Sequence, residues 1–331
     1  MAQTFYSGPG KVYLGTVGFQ PEGVNGAISA HVEEKTTVRG SAMYGEVFET
    51  LDDVTGKITT TPFDNWNLLP TLFPTYLGVT TAVGTGFGAG LLAIGTNPFT
   101  GTKVPVGVYT PDGRLYNFVR GALTKHPTMK FLPGAALFGG IELSAFGDLT
   151  LQPATDAFLI GASNAVPVTE SGATDPDTTG FTIVDYGQSH WTGAWGSITG
   201  FTGLEAEDGW ELVPEVKYNT FAVQKVSRLM KLASSRFMIK GRLVGPTHTQ
   251  LLGKVLAHTH GGILAEGAST NFVLTGTNGK TVTLVNAEIK TAPFEFGGTK
   301  LNLGEIAFVT KMAITSSAGV VTVPPQLLFS A

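Results

Sequence analysis

The chain contains no cysteine. Disulfides and thiolate metal sites are therefore excluded, and stability must come from packing and assembly. Charge is sparse as well: 14% of residues are charged against 42% hydrophobic, with a net charge of −4. Such a chain is too apolar for disorder. Its mildly acidic balance argues against a surface that binds nucleic acid throughout. No apolar run approaches the roughly 20 residues of a membrane span. The first residues, Met1-Ala2-Gln3-Thr4-Phe5, lack a basic region followed by an apolar run, so no secretory signal is visible. Acid is missing from one long stretch: no Asp or Glu occurs between Val216 and Ala265.

What is present points to β-structure. The 44 glycines and 18 prolines, with frequent Thr and Val and few long helical patterns, fit an all-β chain rich in turns. The 331 residues suit two domains. The chain also repeats itself. Val32, Thr36, Pro62 and Leu68 recur 184 positions later as Val216, Thr220, Pro246 and Leu252. Ala122, Lys125, Phe131, Gly139 and Ile141 recur 165 positions later as Ala287, Lys290, Phe296, Gly304 and Ile306. The change of 184 − 165 = 19 residues fits one longer loop in the first copy. A tandem duplication of this size commonly builds a ring or array from half as many chains. The expected division is a first domain over 1–150, a linker or surface excursion over 151–185, and a second domain over 186–331.

Strands are expected over residues 11–14, 27–39, 44–51 and 54–61, the last alternating apolar and polar residues. Pro62 ends that strand, and Asp64 is placed to cap a short helix over 66–73, where Trp66, Leu69 and Phe73 fall at helical spacing before Pro74. Residues 80–102 read as a glycine-rich loop. Residues 104–109 and 114–119 read as a hairpin around Pro111-Asp112-Gly113, followed by strands over 123–132 and 135–146. In the second copy, 235–244 matches 54–61. Thr247 or Thr249 is placed to cap a second helix through Leu256, and the last strands are 281–290 and 301–310.

Several motifs tempt a chemical reading. Gly276-Thr277-Asn278-Gly279-Lys280-Thr281 spells a phosphate-binding sequence of Mur ligases, but a phosphate loop must deliver its amides from a helix N-terminus. Here Val282-Thr283-Leu284-Val285 follows, which favours a strand, and Asn278-Gly279 is a hairpin signal. The glycines of 84–90 lack the strand, helix and acid of a dinucleotide site. His258 and His260 have no nearby carboxylate, and His31, His126, His190 and His248 are scattered, so no metal site and no catalytic constellation emerges. The expectation is no enzyme activity, no cofactor and no metal. Residues 223–237 carry bases at helical spacing, yet the first copy lacks that pattern, so strands with a basic hairpin tip are preferred.

The two copies differ in charge. Window 32–62 holds Glu33, Glu34, Glu46, Glu49, Asp52 and Asp53 against Lys35, Arg39 and Lys57, or 3 − 6 = −3. Window 216–246 holds Lys217, Lys225, Arg228, Lys231, Arg236, Lys240 and Arg242 with no acid, or +7. Drift of solvated charge accounts for this. So does complementarity, in which every interface of an alternating ring joins an acidic to a basic segment, with remaining acids facing a lumen. Nucleic-acid contact ranks lower because the chain as a whole is acidic.

Gly56-Lys57-Ile58-Thr59-Thr60-Thr61-Pro62, then a short helix over 65–73, then a half ending Phe138-Gly139-Gly140-Ile141-Glu142-Leu143, resembles the tail tube (major tail) proteins of long-tailed phages. The opening Gly10-Lys11-Val12-Tyr13-Leu14-Gly15 fits too. The resemblance implies two tandem β-sandwich domains, each with a flanking short helix. It implies a structural virion protein of the tail, made in the host cytoplasm. Copies of the chain would form stacked rings, joined by other tail proteins, around a lumen that DNA crosses without specific binding. The usual ring has six single-domain subunits, so a tandem copy implies three chains with pseudo-sixfold symmetry. No membrane is involved. The alternative is a virion decoration or receptor- or carbohydrate-binding β-sandwich, for which Trp191 and Trp195 could supply an aromatic platform.

Overall fold

The computed structural model describes residues 10–19, 21–37, 46–62, 66–83, 86–88, 90–98, 106–109, 113, 115–118, 121–146, 168–169, 190–196, 202–223, 227–244, 271–291, 294–297, 300–310, 315–317, 320–322 and 326–330. The first half contains β1 (Lys11–Leu14), β2 (Val17–Phe19), β3 (Pro21–Thr37) and β4 (Glu46–Pro62). A 3-10 turn (Trp66–Leu68) and a one-turn helix α1 (Leu69–Leu72) follow. Then come β5 (Val79–Val83), β6 (Gly86–Gly88), β7 (Val106–Tyr109), β8 (Leu115–Phe118), β9 (Gly121–Lys125), β10 (Met129–Leu132), β11 (Ala135–Phe138), β12 (Ile141–Phe146) and β13 (Val168–Thr169). The second half contains β14 (Trp191–Trp195), β15 (Glu205–Val223), β16 (Ser227–Val244), β17 (Phe272–Gly276), β18 (Thr281–Leu284), β19 (Ala287–Thr291), β20 (Phe294–Gly297), β21 (Lys300–Leu303), β22 (Glu305–Thr310), β23 (Thr315–Ser317), β24 (Val320–Thr322) and β25 (Leu327–Ser330). The protein is all-β with one short helix among the described residues. The expected second helix lies outside them.

Two pairs of sheets share a strand order. One sheet runs β3-β4-β12-β9, and another contains β15-β16-β22-β19 in the same order. A third runs β13-β8-β7-β1-β2, and a fourth contains β25-β18-β17-β14. The irregularities repeat with the order. In β3–β4 the register slips between His31 and Val32; in β15–β16 it slips between Lys217 and Tyr218. A second slip falls at the matching place, between Pro21 and Val24 and between Ala206 and Trp210, with one more extra residue in β15 than in β3. In β9–β12 the pairing skips one residue between Leu123 and Lys125; in β19–β22 it skips one between Ile289 and Thr291. Bulges are specific features of a sheet, so their coincidence fixes which residues correspond.

The offsets that follow differ from the gapless ones read in the sequence. Leu143 pairs Ile58, and Phe308 pairs Ile239, giving 308 − 143 = 165 for β12 and 239 − 58 = 181 for β4. The β3 offset is 217 − 31 = 186. Strand β10 maps to β20 at 294 − 129 = 165, because Met129 opposite Phe138 corresponds to Phe294 opposite Leu303. The uniform 184 is thus replaced by 186 before the hairpin turn and 181 after it. The first half has five more residues between these strands, and no gapless alignment can carry that. Pro62 consequently corresponds to Leu243 and not to Pro246.

Other expectations change in detail. The strands expected at 44–51 and 54–61 form one strand, β4. The loop expected at 80–102 contains β5 and β6. The stretch expected as a linker contains β13, which pairs with β8. Of the bases of 223–237, Arg228, Lys231 and Arg236 lie in β16, as preferred over a helix, and Lys225 lies outside the described residues.

Neither half is packed by itself. Strands β10 and β11 extend the second-half sheet at β15, and β5 and β6 extend the other at β25. Trp66 stacks on Trp191 at 6.2 Å, Phe131 meets Trp191 at 4.8 Å, and Phe73 meets Phe329 at 5.3 Å. All are buried, and each contact joins the two halves. Truncating Phe131 to Ala should cost about 3–5 kcal/mol, as for other buried aromatics. Because its cavity opens between the halves, denaturant unfolding should remain one transition shifted as a whole. Two transitions, one of them unmoved, would show independent halves.

Candidate assembly seam

The seam between the halves has a direction: the first half donates strands and the second accepts them. Met129, Lys130 and Phe131 of β10 pair antiparallel with Leu212, Glu211 and Trp210 of β15. Leu327–Ser330 of β25 pairs in parallel with β5, beginning at Leu327 opposite Val79. The loop after β6 joins β16, where Gly95 N donates to Leu232 O and Leu232 N to Thr96 O, each at 2.8 Å. Gln326 N donates to Gly78 O at 2.7 Å, and Ser235 Oγ to Leu77 O at 3.0 Å.

Glycine permits the closest of these approaches. A Cβ on Gly209 would lie 2.4 Å from Phe131 O, and Gly209 has φ +77. Both facts demand glycine where β10 crosses the bulge of β15.

A polar chain lies in the same seam, with His126 buried and Tyr218 and Tyr76 half-buried. His126 Nδ1 lies 2.8 Å from Leu72 O, so it must carry the proton and donate. Its Nε2 then accepts from Tyr218 Oη at 2.8 Å, and Tyr76 Oη, 3.2 Å away, donates to Tyr218. Burial lowers the His126 pKa to about 4, against the opposing effect of the Leu72 carbonyl. Burial likewise raises Tyr218 far above its ordinary range, with Tyr76 adding to the effect. Spacing had given His126 no role; the residues that hold it lie 54 and 92 positions away.

The charged candidates are placed as follows. Glu33 and Glu34 lie on β3, and Glu46, Glu49, Asp52 and Asp53 on β4. In the register of β3 with β4, Glu34 is the partner of Glu49. Lys217 lies on β15, and Arg228, Lys231, Arg236, Lys240 and Arg242 on β16; Lys225 falls outside the described residues. The two ribbons occupy corresponding positions in the repeat. Part of the basic window is neutralised inside the chain. Lys240 Nζ lies 3.1 Å from Glu211 and 3.3 Å from Glu305, which raises its pKa, chiefly through the Glu211 hydrogen bond. Arg242 Nε lies 3.6 Å from Glu207, and Arg236 is directly opposite Glu215. The window 216–246 missed these acids, because Glu207, Glu211 and Glu215 sit before it on β15 and Glu305 sits after it on β22.

The motif at residues 276–281 is a hairpin turn. Thr275 pairs with Thr281, Gly279 has φ +82, and Lys280 N donates to Asn278 Oδ1 at 3.1 Å. Its repeat is the turn at Gly113, with φ +80, between Tyr109 and Leu115. Lys280 Nζ sits 5.5 Å from the centre of the Trp66 ring. His190 Nε2 lies 3.1 Å from Glu205, while His248, His258 and His260 lie outside the described residues. Among the described residues no cluster of three potential metal ligands occurs, and no helix is long and apolar enough to cross a membrane. Comparison with protein-family models and with curated proteins gave no match.

The His126 pKa sets a pH dependence. The imidazole is neutral in the folded chain, with a pKa of about 4, and takes up a proton near pH 6.5 once unfolded. Its contribution is therefore complete above pH 6.5 and is lost as pH falls toward 4. The full loss is about 3 kcal/mol. Exposed carboxylates titrate in the lower part of this window, so the diagnostic quantity is the difference from His126→Gln. That variant should be less stable at pH 7.5 and show a flatter profile between pH 6.5 and 4. An unchanged profile would remove His126 as its source.

Proposed function

We propose that this chain is a tail tube protein of a long-tailed phage, a structural virion protein whose copies form stacked rings around a conduit for DNA. One observation carries the reading: two repeated units joined by a one-directional seam. The first half gives strands to the second, yet the sheets of the first half end at β3 and β13 among the described residues. Hairpin β20–β21, the counterpart of the donating β10–β11, pairs with no further described strand. A unit with a donor at one end and an acceptor at the other forms heterologous contacts, which close into rings or run on as filaments. If the units of successive chains alternate, three chains supply six units.

The net charge of −4 agrees with a conduit that does not hold its cargo, since like charge with the phosphates lowers sticking. The decoration or receptor-binding alternative relied on Trp191 and Trp195 as an exposed platform. Both are buried, and Trp195 Nε1 donates to Ala287 O at 3.0 Å. The absence of enzyme activity, cofactor and membrane contact remains part of the proposal.

Negative-stain imaging of concentrated protein should reveal rings or tubes, and mass measurement of isolated rings should give three chains. Six chains, or a monomer that never assembles, would contradict the reading. A charge test addresses the two ribbons. Exposed ion pairs are worth about 0–1 kcal/mol each, so single reversals should be tolerated. Changing Glu46, Glu49, Asp52 and Asp53 together to Lys should impair assembly. Changing Lys225, Arg228 and Lys231 to Glu in the same chain should partly restore it. Normal assembly of the first variant, or no rescue by the second, would assign the asymmetry to drift.

A further inference from the structure

We infer that hairpin β20–β21 of one chain adds to the open edge of β3 in a second copy of this chain, with Phe294 opposite Gly26, Glu295 opposite Asn25 and Phe296 opposite Val24. The register follows from the repeat. Inside the chain, Met129 pairs with Leu212, Lys130 with Glu211 and Phe131 with Trp210. The β10 offset of 165 carries Met129, Lys130 and Phe131 to Phe294, Glu295 and Phe296. The β3 offset of 186 carries Leu212, Glu211 and Trp210 back to Gly26, Asn25 and Val24. Among the described residues, both partners are two-sided in the seam and one-sided at its counterpart: β15 lies between β10 and β16, whereas β3 ends its sheet beside β4.

A second observation points to the same occupant. Gly209 is required where the Phe131 carbonyl crosses the β15 bulge. Subtracting the offset, 209 − 186 = 23, and residue 23 is also glycine, inside the corresponding bulge between Pro21 and Val24. No described strand crosses β3 there. The Phe296 carbonyl of a second copy is the group that would need this gap. An open edge of this length is otherwise a site for uncontrolled pairing, and a dedicated hairpin removes it.

The inference shares with the proposed function the premise that chains associate, but its register rests on the repeat alone. The absence of native cysteine gives a clean test. Directly opposed antiparallel residues have Cα atoms about 4.5–5.5 Å apart, within reach of a disulfide. Asn25→Cys with Glu295→Cys in one full-length chain, oxidised with copper–phenanthroline after concentration, should shift most of the chain from monomer to covalent multimers. Coexpressed chains carrying one substitution each should stop at dimers. Ser29→Cys with Glu295→Cys displaces the partner by four residues, about 13 Å along the strand, and should crosslink about tenfold less at that separation. Equal crosslinking of both pairs would overturn the register. An internal crosslink that leaves the chain monomeric would overturn it too. Rings that form without crosslinks would overturn this inference and leave the ring reading standing. A wild-type chain that never associates would overturn both.

Discussion

Backbone pairing across the seam between β10 and β15 is the constraint on which the rest of the molecule depends. Each strand edge carries amides and carbonyls that must be satisfied or left as a liability. The second half satisfies its edges with strands lent by the first. Once that exchange is made, the two halves cannot be separated without opening both second-half sheets. It also forces glycine at 209 and brings Phe131 onto Trp191. The side-chain chain of Tyr76, Tyr218 and His126 then closes beneath it.

The same exchange makes the two halves a poor pair of independent domains. In a head-to-tail arrangement, the last unit always has a donor unspent and the first an acceptor unfilled. In the proposed ring, covalent linkage would join half of the contacts in advance and leave the others for association. Aromatic packing follows the same geometry: Trp66, Phe73 and Phe131 come from one half, and Trp191 and Phe329 from the other.

The fold class was legible because glycine, proline and alternating Val and Thr leave little room for helices. The turn at Asn278-Gly279 was legible for the same local reason, and it disposes of a phosphate loop at residues 276–281. The repeat was legible in kind but not in register. An offset wrong by two, 184 against 186, keeps each β3 residue on its proper face; an offset wrong by three, 184 against 181, puts each β4 residue on the opposite face. Bulges and a longer turn cannot be seen in a gapless comparison. The seam was not legible at all. His126 to Tyr218 and Phe131 to Trp210 are long-range contacts, and Glu211 opposite Lys240 lay outside the window used to count charge. Gly209 offered the one available signal, as a glycine repeated at 23 beside paired bulges.

The central claim is that the seam inside the chain is repeated between chains, and amide hydrogen exchange tests it most directly. Amides in residues 129–131 and 210–212 should be protected in both the dispersed and the assembled protein. Within residues 24–26 and 294–296, the amides that point away from the strands already paired with them, β4 and β21, should exchange freely in the dispersed chain and become protected on assembly. Protection that leaves those two segments unchanged, while other surfaces slow on assembly, would contradict the account.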